Sequence, residues 1–186
     1  MPLEVGNSWT YASAADNLTI TVTGTMNVLG RPAFRLVYDR GSHSLYEEYL
    51  SWNHQGQLLL HGRQGGTAPP VVFDPPLVWF TPGIEEGLGG TVNVYADLEG
   101  TTAPVVSTYY VAFMGEEVVA VPAGAYATTH VDELTSAGEA RWYTPDIGMA
   151  QLNYLHGGTA TYRLVSHNMA VGVEKTSWSN LKAAYR

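Results

Sequence analysis

The chain has 186 residues, 45% of them hydrophobic, which is enough to bury one core, and the reading is a single β-rich domain over residues 1–186. Nine Lys and Arg against seventeen Asp and Glu leave a formal net charge of -8, which repels phosphate backbones and anionic membranes and argues against nucleic acid as a partner. The absence of Cys removes disulfides, thiolate metal sites and cysteine nucleophiles, and no apolar stretch reaches the length of a membrane-spanning helix.

Taken in chain order, the opening "MPLEVGNSWTY" lacks the basic head and apolar run of a signal peptide. The expected location is the periplasm or cell envelope if a leader has been removed, and the cytoplasm otherwise. From Leu18 to Val28 the text "LTITVTGTMNV" alternates, with Leu18, Ile20, Val22, Met26 and Val28 on one side and Thr or Asn on the other. The alternation resumes at Phe34, Leu36 and Tyr38, so residues 18–39 read as a hairpin closed near Gly30. Further strands are predicted at 43–52, 57–63, 91–99, 105–114, 117–121, 125–134, 139–144, 149–155 and 159–167. The short Gly, Pro and Asn turns between them imply an antiparallel meander.

Two hairpin registers follow from the loop lengths. A loop at Asn53–Gly56 sets Leu50 against Leu59 and Glu48 against His61; a four-residue loop at Thr135–Gly138 sets Asp132 against Arg141 and Val131 against Trp142. Between them, "GGTAPPVVFDPPLVWFTPGIEEGLGG" (65–90) reads as a Pro/Gly-rich bridge that forms no regular element. It joins two faintly repeated halves, 1–64 and 82–168, each opening on a Pro, an acidic step and a Gly ahead of aromatic strand residues. At the end of the chain, Trp178, Leu181 and Tyr185 fall at helical spacing behind Ser177, and a short C-terminal helix is expected.

No nucleophile elbow, phosphate-cradling loop, dinucleotide fingerprint or zinc-protease motif is present. The adjacent acids Glu47–Glu48 and Asp132–Glu133 sit on strands, where neighbours face opposite ways and cannot share a proton. No catalytic residue, metal ligand or cofactor is assigned. The candidate ligand-binding residues are Tyr46, Glu48, Trp52, His61 and Arg63 along one hairpin face, with Phe73, Trp79 and Phe80 of the Pro-rich bridge. In "VPAGAY" (121–126) and "WYTPDIG" (142–148), the Pro and Gly have a sufficient cause in turning the chain. Both segments read as scaffold.

Four segments carry a resemblance: Pro2–Tyr11, Asp74–Leu77, Val121–Tyr126 and Trp142–Tyr154. Together they resemble a bacterial family of exported and lipid-anchored β-rich domains of unknown function, which is similar in turn to LolA/LolB-type open half-barrels. The resemblance implies a mainly β fold, an antiparallel meandering sheet in an open or incompletely closed barrel. The functional reading is a non-enzymatic domain of the cell envelope that holds a hydrophobic small molecule or an envelope protein in the concave sheet, on the ground of many inward-facing aromatics and few buried charges. The alternatives are a hydrolase of a glycan or ester using acids such as Glu48 and Asp132, and a structural or assembly domain. The oligomeric state is left open.

Overall fold

Twelve antiparallel strands close into one barrel in the computed structural model, which describes residues 1–41, 46–83, 87–133, 138–145, 147–154 and 160–169. They are β1 (Ser8–Ala12), β2 (Asn17–Val28), β3 (Arg31–Asp39), β4 (Tyr46–Trp52), β5 (Leu58–Gly65) and β6 (Val71–Phe80), followed by β7 (Leu88–Tyr95), β8 (Val105–Val121), β9 (Gly124–Glu133), β10 (Ala140–Thr144), β11 (Gly148–Tyr154) and β12 (Ala160–Asn168). Each strand pairs with its sequence neighbours, and β1 pairs with both β2 and β12. The predicted antiparallel meander is therefore present, but the expected open or incompletely closed barrel is not. Closure depends on β1, a five-residue strand too short to stand out by periodicity, which leaves no free edge. The predicted C-terminal helix lies outside the described residues.

Alternation along each strand builds the interior. Trp9, Tyr11, Ile20, Leu36, Leu58, Leu60, Leu77, Met149 and Leu164 are all essentially inaccessible to solvent and belong to one apolar cluster. Each such side chain contributes about 1.5–3 kcal/mol of burial free energy. The β2–β3 turn falls at Leu29 and Gly30, both at positive φ (49° and 75°), the pattern of a tight two-residue hairpin turn and the closure expected near Gly30.

Both predicted registers are wrong, the first through a longer loop and a bulge and the second through a longer loop alone. In β4–β5, Tyr49 faces Gly62 and Leu50 faces Leu60, leaving His61 as an extra residue, so Glu48 lies opposite Arg63 and not His61. In β9–β10, Arg141 faces Val131 and Trp142 faces His130, with Asp132 opposite Ala140. The connection is longer than predicted, because the Glu133 N–H donates to the Glu139 carbonyl (2.7 Å) and closes the hairpin around residues 134–138.

The Pro-rich stretch is not an irregular bridge, since residues 71–80 form β6. On one side β6 pairs with β5 through Val71 and Val72 and again through Leu77, Val78 and Phe80; on the other only Val72–Asp74 pair with Asn93–Tyr95 of β7. Pro75 and Pro76 have no N–H to continue that second ladder. The β6–β7 seam is thus held by three residue pairs, against seven between β7 and β8. Outside the barrel, Val28 and Ala33 of the β2–β3 arm pack on Tyr49 and Val72. The Leu29 N–H donates to Leu98 O (2.8 Å), and Arg31 pairs with Asp74 (2.9 Å).

Candidate ligand-binding site

The interior changes character along the barrel axis. Toward the β3–β4, β5–β6 and β9–β10 connections, the inward positions carry Tyr38, Tyr46, Glu48, Arg63, Glu133 and Arg141, with Glu139 just ahead of β10. Arg141 forks onto Glu48, with Nη2 donating to Oε1 at 2.6 Å and Nη1 to Oε2 at 2.9 Å, and its Nε donates to Glu139 Oε2 at 3.2 Å. The Tyr38 and Tyr46 hydroxyls donate to Glu48 as well. The Arg141 guanidinium also lies over the Trp79 ring, 4.9 Å from its centroid. A second fork joins Arg63 to Glu133 at 3.0 and 3.2 Å, with the Phe73 ring 6.0 Å away.

These charges are sustainable because each is paired and hydrogen-bonded; an isolated carboxylate at such depth would take up a proton. Burial alone pushes the Glu48 carboxyl upward. The Arg141 charge, the hydrogen bonds from Arg141 and Tyr38, and Arg63 behind them outweigh it and hold Glu48 below the ordinary carboxylate range. Burial pushes the Tyr143 hydroxyl up to about 12, so it stays protonated.

Against this network opens a groove of about 560 Å³. Its walls include Phe73 and Leu77 of β6, Val92 and Val94 of β7 and Tyr109 of β8, and the Arg63–Glu133 pair stands at its polar side. The groove lies where the β6–β7 ladder stops. The donor-free Pro75–Pro76 pair interrupts the hydrogen bonding of the wall beside it.

The structure divides the residues singled out from the sequence into three groups. Tyr46, Glu48, Arg63, Phe73 and Trp79 gather in and around the buried network. Trp52 and Phe80 belong to the opposite, apolar end, where their rings meet edge-on at 6.4 Å and Trp52 Nε1 donates to Met1 O. His61 occupies the β5 bulge, 2.8 Å from Ser51 Oγ and 3% exposed, and the expected Glu48–His61 pair does not form. Burial, with Arg31 close by, lowers its pKa to about 4. Glu133, Glu139 and Arg141 were not singled out. The expected Asp132–Arg141 pair does not form: Asp132 takes His130 at 2.7 Å, and His130 stacks on Trp142.

No family model matches the chain, and no curated protein is similar to it. Among solved structures, it is similar to a candidate lipoprotein from Parabacteroides distasonis, at 14% identity and TM-score 0.45 over 90% of this chain and 97% of that one. It is also similar to a candidate exported protein with a YmcC-like fold from Bacteroides fragilis, at 14% identity and TM-score 0.46 over 91% and 98%.

Proposed function

We propose that this domain is a non-enzymatic, cell-envelope-type protein that holds an apolar ligand in the groove beneath the β6–β7 seam. The observation that carries this reading is the groove itself. Its roughly 560 Å³ falls in the range of about 300–1,000 Å³ usual for small-molecule sites. Its walls set the apolar side chains of Phe73, Leu77, Val92 and Val94 beside Ser107, Thr108 and the Arg63–Glu133 ion pair, so they offer both an apolar surface and groups able to orient a ligand's polar end. The groove also lies between the two proposed halves, with Arg63 from 1–64 and Val92 and Glu133 from 82–168. The hydrolase alternative loses its named pair, because Glu48 is buried inside the barrel, whereas Asp132 binds His130 on the outer side of β9.

The test is a titration with the neutral apolar fluorophore N-phenyl-1-naphthylamine. The protein should give saturable enhancement, and Val94→Trp, which fills the groove from a half-buried wall position, should weaken it at least tenfold while circular dichroism stays unchanged. Enhancement that is absent, or that survives Val94→Trp, would overturn the assignment.

A further inference from the structure

The charges of the buried network do not balance. Three buried carboxylates, Glu48, Glu133 and Glu139, meet two guanidinium groups, Arg63 and Arg141, which is one positive charge fewer. The hydrogen bonds show where the shortfall lies. Both oxygens of Glu48 accept from Arg141, and both oxygens of Glu133 accept from Arg63. Glu139 meets Arg141 through Oε2, whereas its Oε1 is buried with no hydrogen-bond partner. Trp79 Nε1 and Asn153 Oδ1 are the other such side-chain atoms among the described residues, and neither belongs to a charged group. A carboxylate oxygen left so at this depth is the most costly of the three.

Glu139 also stands beside the groove. The Glu133 N–H donates to Glu139 O (2.7 Å), so the two residues are direct cross-strand neighbours. Both side chains are buried on the inner face, which sets their Cβ atoms about 4.5–5.5 Å apart. Glu133 lines the groove. Like charges placed opposite one another repel, and a cation that reaches both relieves the repulsion.

We propose that the ligand of the groove is a primary alkyl amine, with its chain along Phe73, Leu77, Val92 and Val94 and its ammonium group donating to Glu139 Oε1. The inference rests on the groove reading and narrows it. An ammonium supplies both things the network lacks, a positive charge and an N–H donor. A fatty acid supplies neither, and its carboxylate would join three others. A bare metal ion fits less well, because calcium, for one, takes about six to eight oxygen ligands. The described residues bring together no group of three or more His, Asp or Glu able to hold a metal.

The test is displacement of the apolar fluorophore at neutral pH and physiological ionic strength, where the net charge of -8 is screened. Four ligands of one chain length are compared: decylamine, decanol, decanoate and decyltrimethylammonium. Decylamine should displace the fluorophore at concentrations at least about tenfold lower than the other three, the usual effect of one hydrogen bond to a charged group. Glu139→Gln should remove its advantage over decanol. If Glu139→Gln does not fold, the four ligands on the unaltered protein still decide. Equal displacement by decylamine and decanol would overturn the inference and leave the groove reading standing. Decyltrimethylammonium matching decylamine would overturn it as well, because charge without an N–H would then suffice, and so would an advantage that survives Glu139→Gln. A protein that binds neither the fluorophore nor any of the four would overturn the groove reading, and this inference with it.

Discussion

The two ends of this barrel are built by the same alternation and filled with opposite chemistry. At one end, Trp9 donates its indole N–H to Ile147 O (2.6 Å), Trp52 does the same to Met1 O, and Phe80 packs on Tyr143 at 5.1 Å between centroids. At the other, the inward slots hold Glu48, Arg63, Glu133 and Arg141, paired across the interior. Arg141 meets a carboxylate 93 positions away in sequence and Arg63 one 70 positions away. The apolar end is stabilised by area, to which each residue contributes separately. The polar end is stabilised by complementarity, which fails as a unit.

That contrast can be broken by mutation. Arg141→Met, which leaves Glu48 and Glu139 buried without their cation, should cost about 3–5 kcal/mol in denaturant unfolding, whereas replacing Glu48, Glu139 and Arg141 together by apolar residues of similar volume should cost far less. At the apolar end, Leu58→Ala should cost about 2–5 kcal/mol, with no rescue by any second charge deletion. If the single and triple variants at the polar end are equally destabilised, the network is not acting as a unit.

Acidification separates the groups by window. His61 has its pKa lowered from 6.5 to about 4 by burial, so below pH 6.5 the unfolded chain takes up a proton that the folded chain refuses. Stability should fall by about 2–3 kcal/mol between pH 6.5 and about 4, and His61→Gln should remove that decline. Glu48 acts lower. Its folded pKa is depressed, so its contribution is complete above the ordinary carboxylate pKa and is lost as pH falls through and below it. Leu58→Ala should shift the whole curve without changing its shape. The smallest effect belongs outside the barrel, where Arg35 and Glu47 pair on a partly exposed surface; Arg35→Ala should cost less than about 1 kcal/mol.

The fold was more legible than the site, for reasons that particular residues show. Strict alternation over 18–28 made β2 plain, and Gly30 marked its turn. The aromatic strand residues behind the opening Gly belong to β1, but five residues give no sign of a partner at the other end of the chain, and the pairing with β12 that closes the barrel went unread. β6 was missed because Pro75 and Pro76 read as breakers, although they fall in a stretch of the strand that pairs with neither neighbour. In the site, Tyr46, Glu48 and Arg63 fell on one hairpin face and could be grouped from spacing. Arg141 could not. A charged residue in "ARWYT" reads as the outward position beside Trp142, and only the partner across the barrel reveals that Arg141 and Tyr143 face in and Trp142 faces out. The bulge at His61 likewise left no local sign, and it displaced the one cross-strand pair that had looked functional.

The most direct test of the groove as a ligand site is mass spectrometry of the purified protein under native conditions and again after denaturation in organic solvent, alongside Val94→Trp. The account predicts an added apolar mass that is released on unfolding and is missing from Val94→Trp. A bare protein mass that stays bare after incubation with apolar extracts, or an adduct retained equally by Val94→Trp, would contradict it.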